Sequence, residues 1–98
     1  MDVELRALSD DEIAAAVVGL DGWRHFDGKL CHEYVFANFV QAIAFIDRIA
    51  VWAETWNHHP EWSNVYNVVR VELWTHDVGG ISPLDVQLAH KMNELADQ

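Results

Sequence analysis

The chain has 98 residues, of which 51% are hydrophobic and five are Trp, and its formal charge is −10 at pH 7. A chain of this length encloses one hydrophobic core, so residues 1–98 are expected to form a single domain. Six Lys and Arg against sixteen Asp and Glu exclude a strongly basic surface, which argues against nucleic acid as a partner.

The cellular compartment is predicted from three further features of the sequence. The single cysteine, Cys31, cannot form an internal disulfide, which fits a reducing compartment. The segment from Met1 to Arg6 lacks the basic region and following apolar stretch of a signal peptide. No run of about 18 apolar residues could span a membrane. We therefore expect a cytoplasmic protein without membrane contact.

The first part of the chain is predicted to form a short helix and a hairpin. Ser9 and Glu12 have the spacing of a capping box, in which the hydroxyl and the carboxylate satisfy each other's backbone amides at a helix start. The hairpin is expected to contain strands 23–26 and 30–36, separated by Asp27-Gly28, a typical two-residue turn.

A long second helix is predicted to begin after Asn38 and to end at His59-Pro60, because proline disfavours helical geometry in the residue before it. Its apolar residues at helical spacing are Phe39, Ala42, Ile43, Ile46, Ile49, Ala50, Ala53 and Trp56. Phe45 and Trp52 lie off this stripe. The sequence leaves open whether they contact a second subunit or pack against a hairpin.

The last part of the chain is predicted to form a second hairpin and a third helix. The strands are expected at 62–66 and 68–75, and the helix begins at Ser82-Pro83 with a stripe at Leu84, Leu88, Met92 and Leu95. The order is therefore αββαββα. Hairpins pair antiparallel, so we predict an α+β fold, a four-stranded antiparallel sheet with three helices packed on one face.

Three histidines are predicted to meet at one end of this sheet. Glu54 and His58 are spaced to share the C-terminal face of the second helix, where the carboxylate and the helix end favour a cationic imidazole. His59 follows, and His76 lies at the end of the fourth strand, which returns to where Pro60 enters the third. Imidazoles exchange protons near neutral pH, so the cluster suits acid–base catalysis.

Other interpretations of these residues remain open at this point. On composition alone, histidines near a helix end are more often solvated or structural than functional. Three histidines could also hold zinc, although adjacent ligands such as His58-His59 are awkward for one ion. Nucleophilic catalysis by Cys31 lacks a partnered base. The tryptophans Trp62 and Trp74 are predicted to flank the cluster with flat apolar surfaces for a heterocycle.

Two segments have long motifs with fixed internal spacing, Glu54-x3-His58-His59-Pro60-Glu61-Trp62-x2-Val65-Tyr66-Asn67 and Leu73-x-Thr75-His76-Asp77-x2-Gly80-x-Ser82-x2-Asp85. They resemble the pterin-4a-carbinolamine dehydratase family, known in mammals also as a dimerisation cofactor of a homeodomain transcription factor. Gly22-Trp23 and Phe36-x2-Phe39-x5-Phe45 are also similar to the family, so the resemblance covers nearly the whole chain.

The resemblance implies the dehydration of 4a-hydroxytetrahydrobiopterin to quinonoid dihydropterin, without a cofactor or a metal. It assigns catalysis to His58, His59 and His76, with Glu54 orienting or charging the first and Asp85 supporting the site from the third helix. The implied pterin-lining residues are His58, His59, Pro60, Trp62, Thr75, His76, Asp77 and Val78. The His58-His59 side is expected to act as the acid and His76 as the base.

The resemblance also implies partners. We expect a pterin substrate, a homodimer or homotetramer, and a functional link to a pterin-dependent hydroxylase in tetrahydrobiopterin recycling. Some relatives act as partners of a transcription factor or assist assembly of a carbon-fixing enzyme. A protein-binding module without catalysis is therefore the alternative function.

Overall fold

A computed structural model describes residues 5–97, and the remaining residues of the predicted domain, 1–4 and 98, lie outside this part. The elements in chain order are α1 Asp10–Val18, β1 Arg24–Phe26, β2 Lys29–Val35, α2 Phe39–Thr55, β3 Glu61–Val65, β4 Val68–Leu73, a 3-10 turn His76–Val78, and α3 Pro83–Ala96. No helix in residues 5–97 is long and apolar enough to cross a membrane.

The four strands form one antiparallel sheet in the order β1-β2-β4-β3. Alternate strand residues such as Leu30, Val69 and Val71 are buried, and they share a core with residues of all three helices. The opposite sheet face carries residues such as Glu33 and Arg70, which are exposed and ion-paired. The predicted α+β fold with helices on one face is confirmed.

The buried face of α2 coincides with the predicted stripe at Ala42, Ile49 and Ala53 and differs from it elsewhere. The helix residues that are buried are Ala42, Phe45, Ile49 and Ala53. Phe45 packs against Tyr34 of β2, with ring centroids 4.9 Å apart, so the hairpin contact and not a subunit contact explains its position off the stripe. Phe39 and Ala50, which belong to the predicted apolar stripe, are exposed. Apolar residues surround much of this helix, so periodicity alone did not determine its orientation.

The fourth strand is shorter than predicted. It ends at Leu73, and Thr75 then pairs with Gly80 in an isolated bridge that encloses the 3-10 turn. Gly79 ends that turn at φ 66°, a left-handed conformation that glycine adopts without strain. The prediction that His76 ends a strand is therefore wrong, because His76 begins this turn.

Candidate active site

The C-terminal end of α2 directs the first two histidines. Asn57 adopts a left-handed conformation with φ 49° directly after the C-cap residue Trp56. The Asn57 amide donates to the Glu54 carbonyl over 3.1 Å, and the His58 amide donates to the Ala53 carbonyl over 3.0 Å. These two bonds define a Schellman motif, which ends a helix and reverses its chain direction. His58 consequently lies outside the helix.

His58 pairs with Asp85 of α3. Its Nε2 lies 2.5 Å from Asp85 Oδ1, and the side chains of His58 and Asp85 are 10% and 0% exposed. The prediction that Glu54 orients His58 is therefore wrong. The spacing rule behind it applies within a helix, and the Schellman motif turns His58 inward, away from that face.

Asp85 is the centre of a buried polar network. Its Oδ2 accepts a hydrogen bond from the Ser82 amide over 2.9 Å and one from Thr75 Oγ1 over 2.8 Å. The Thr75 and Ser82 hydroxyls are 2.7 Å apart. Asp85 also lies in the first turn of α3, where the helix dipole stabilises a carboxylate. The Thr75 residue was predicted to line the pterin, but its hydroxyl forms hydrogen bonds to Asp85 and Ser82 inside the protein. Ser82 was not predicted as part of the site, although its N-cap signal was visible.

Glu54 pairs instead with the second histidine. His59 Nε2 lies 2.9 Å from Glu54 Oε1, and their side chains are 59% and 83% exposed. This imidazole therefore faces the surface, whereas that of His58 is buried. A ligand in solution could reach His59 directly.

His76 lies against two residues of the open sheet face. Its ring centroid is 3.8 Å from that of Trp74, and its Nε2 is 3.8 Å from Glu61 Oε1. The same Glu61 oxygen accepts a hydrogen bond of 2.6 Å from Trp74 Nε1. Glu61 was missed as a site residue. The alternation of β3 places it on the open face, but only the strand register brings it to Trp74.

Two connections join the three histidines. His58 reaches Asp85, which binds the Thr75 hydroxyl, and Thr75 immediately precedes His76. His59 is joined through Pro60 to Glu61, which contacts His76. Each histidine thereby has its own carboxylate partner.

The remaining predicted lining residues differ in position. Pro60 and Val78 are partly exposed, and Asp77 is exposed in the 3-10 turn. Trp62 is partly buried and packs against the core, whereas Trp74 contacts Glu61 and Lys29 on the open face. The two indoles therefore lie on opposite faces of the sheet, and they do not flank one surface as predicted.

Other reactive side chains lie outside this arrangement. Burial raises the pKa of the Cys31 thiol, with a smaller contribution from Glu72, so the nucleophilic thiolate is disfavoured. His25 and His90 are exposed, and His32 stacks on Tyr34 with centroids 3.8 Å apart. Among residues 5–97, no three or more His, Cys, Asp or Glu side chains are grouped so that they could hold a metal ion.

Comparison with known proteins matches this chain to one family. The family model described as pterin 4 alpha carbinolamine dehydratase matches residues 6–95, which contain the whole histidine arrangement. The chain belongs to the pterin-4-alpha-carbinolamine dehydratase family. The resemblance found in the sequence is thereby confirmed.

Similar relatives carry the provisional name pterin-4-alpha-carbinolamine dehydratase. A protein of Roseobacter denitrificans is 54% identical over 77 residues, which cover 76% of this chain and 79% of the relative. One of Afipia carboxidovorans is 50% identical over 91 residues, covering 91% of each. The crystal structure of a transcriptional coactivator/pterin dehydratase from Brucella melitensis has a TM-score of 0.90 and 40% identity over 93% of this chain and 99% of that one.

Proposed function

We propose that this protein is a hydro-lyase that dehydrates 4a-hydroxytetrahydrobiopterin to quinonoid dihydropterin by histidine general acid–base catalysis, in tetrahydrobiopterin recycling. Its membership of the family, over residues 6–95, supports the reaction. The observation that carries the histidine assignment is the pairing of each imidazole with a separate carboxylate, Asp85, Glu54 or Glu61.

The reaction needs one proton donor and one proton acceptor. The acid protonates the hydroxyl at C4a, the C4a–O bond breaks and water leaves. The base removes the N5 proton, and the C4a–N5 double bond forms. General acid–base catalysis of this kind contributes roughly 10² to 10⁴ in rate.

The exposure of the three histidines suggests how they divide these roles. His59 and His76 are exposed and can reach a bound ring, so we assign the acid to His59 and the base to His76. The buried His58 would bind and orient the pterin at the edge of the site, held by Asp85. Pro60, Asp77 and Val78 would line the pterin beside them.

The decisive experiment follows the loss of 4a-carbinolamine absorbance with and without purified protein, each with and without a chelator. We expect accelerated decay that the chelator leaves unchanged. His76→Ala should lower kcat at least about tenfold, as expected for loss of one proton-transfer group. His90→Ala is the matched control, because His90 is exposed on α3 outside the site, and it should retain wild-type kcat.

Decay at the uncatalysed rate in the presence of the protein would remove the catalytic proposal. Loss of activity with the chelator would instead support the zinc alternative. A His76→Ala variant as fast as the wild type would show that His76 is not the base.

A protein-binding role is the second candidate, supported by the similarity to the Brucella protein, which is described as a transcriptional coactivator. Val40 and Val51 of α2 are 75% and 65% exposed, which offers apolar surface for a partner or a second copy. A homodimer or homotetramer, a hydroxylase link and a cytoplasmic location remain predictions. Protein binding that survives replacement of all three histidines would support this second role.

A further inference from the structure

His76 needs external support if it is to act as a base. It lies on a 3-10 turn of three residues, and its side chain is 70% exposed. An exposed side chain populates several rotamers, and misplacement of a catalytic group by about 1 Å can cost roughly 100-fold in rate. His58, by contrast, is held by a buried carboxylate.

Glu61 and Trp74 supply contacts on two sides of this imidazole. The Trp74 ring lies against the His76 ring with an interplanar angle of 36°. The Glu61 carboxylate lies at the His76 Nε2 edge, 3.8 Å away, within ion-pair range. Because the same carboxylate oxygen accepts the 2.6 Å hydrogen bond from the indole, it also determines where the Trp74 ring lies.

The sheet register creates this arrangement. Glu61 is the first residue of β3 and pairs with Glu72 of β4, so Trp74 lies diagonally across the strand pair on the same open face. Lys29 of β2 lies 3.7 Å from Glu72 and 5.6 Å from the centre of the Trp74 ring. The lysine thus offsets the repulsion between the two paired carboxylates and contacts the indole.

We propose that Glu61 is a positioning residue for His76, acting both directly and through the indole of Trp74. This inference rests on the proposed dehydratase function, in which His76 is the base. Glu61 fixes the orientation of the imidazole towards the ligand without itself exchanging a proton with the substrate. Trp74, on the open face of the sheet, thereby has a role in the site.

The test combines kinetics with NMR of the His76 ring protons, identified by their absence in His76→Ala. In the wild type the Trp74 ring current should shift these signals. Glu61→Ala should move them, lower kcat roughly tenfold and change KM less than about twofold, since the ligand contacts remain. Glu61→Gln keeps an acceptor for the indole, so we expect a smaller shift and a loss of about threefold. The Glu61→Gln variant also serves as the test if Glu61→Ala folds poorly.

Glu33→Ala is the matched control, because Glu33 is an exposed carboxylate of the same sheet face that is ion-paired with Arg70. It should leave kcat and the His76 signals as in the wild type. Wild-type kcat in Glu61→Ala, a loss of rate with unmoved His76 signals, or an equal loss in Glu33→Ala would each overturn the proposal. An inactive wild type would overturn the dehydratase function alone, because the NMR signals report on His76 positioning without activity.

Discussion

The three site histidines differ chiefly in the environment of their carboxylate partners. Asp85 is completely buried and accepts from Ser82 and Thr75 besides contacting His58. The partner of His59 is exposed, and electrostatic pairing in water contributes little to stability. The buried His58–Asp85 pair therefore contributes to the stability of the fold as well as to the site. The exposed pairs orient imidazoles that a ligand can reach.

Replacing Asp85 by Asn should lower the free energy of unfolding by about 2–4 kcal/mol, because a neutral amide oxygen accepts the Ser82 and Thr75 hydrogen bonds less strongly than the buried carboxylate does. Glu54→Gln changes an exposed carboxylate–histidine pair in the same way and should cost under about 1 kcal/mol. Urea denaturation followed by circular dichroism measures both. Equal losses would contradict the structural role assigned to the buried network.

Among the elements, the ends of two helices, α2 and α3, position the site residues. A Schellman motif after α2 sends His58 inward and His59 outward, and the capping box of α3 holds Asp85. Ser82 shows why this cap differs from an ordinary one. Its hydroxyl accepts from the Leu84 amide over 3.2 Å and also bonds to Thr75 within the Asp85 network. The same residues thus begin a helix and build the site.

The two capping boxes allow a direct comparison. Ser82→Ala should cost about 2 kcal/mol in unfolding free energy, because it removes a helix cap and leaves the Thr75 hydroxyl with one partner fewer in a buried network. Ser9→Ala removes only the exposed cap of α1 and should cost about 1 kcal/mol or less. Chemical denaturation of both variants measures the two losses of unfolding free energy. An equal loss in Ser9→Ala and Ser82→Ala would contradict this interpretation.

At the scale of the whole molecule, one core joins the sheet to all three helices. The interpretation of residues 1–98 as a single domain fits this core and remains a prediction. His32 packs beside that core, stacked on Tyr34 and edge-on to Trp23. Burial lowers the pKa of His32, although backbone hydrogen bonds oppose this shift.

This lowered pKa predicts an acid-sensitive contribution to stability. Below the ordinary histidine pKa of about 6.5 the unfolded chain binds a proton at His32 that the folded protein resists, so stability falls as pH decreases. His32→Phe keeps an aromatic ring beside Tyr34 but removes this titration. Its unfolding free energy should fall less than that of the wild type between pH 7 and 5, as measured by urea denaturation. Parallel curves would rule out this contribution.

Local signals allowed much of the fold to be predicted. Ser9 with Glu12, Asp27-Gly28 and Ser82-Pro83 each specify a helix start or a turn through bonds within a few residues, and these elements are present. The predicted stripe of α2 is buried at Ala42, Ile49 and Ala53 but exposed at Phe39 and Ala50, because apolar residues line several sides of that helix. Which side is buried depends on the sheet against which it packs, as Phe45 shows on Tyr34.

The family, the order of elements and the candidate histidines could be predicted from the sequence, because these depend on residue type and local spacing. The pairing of His58 with Asp85, of His59 with Glu54 and of His76 with Glu61 and Trp74 became visible in the folded chain. Such pairs depend on distances in space, which the end of α2 and the register of β3 against β4 determine. A shift of that register by one residue would move Glu61 to the other face of the sheet.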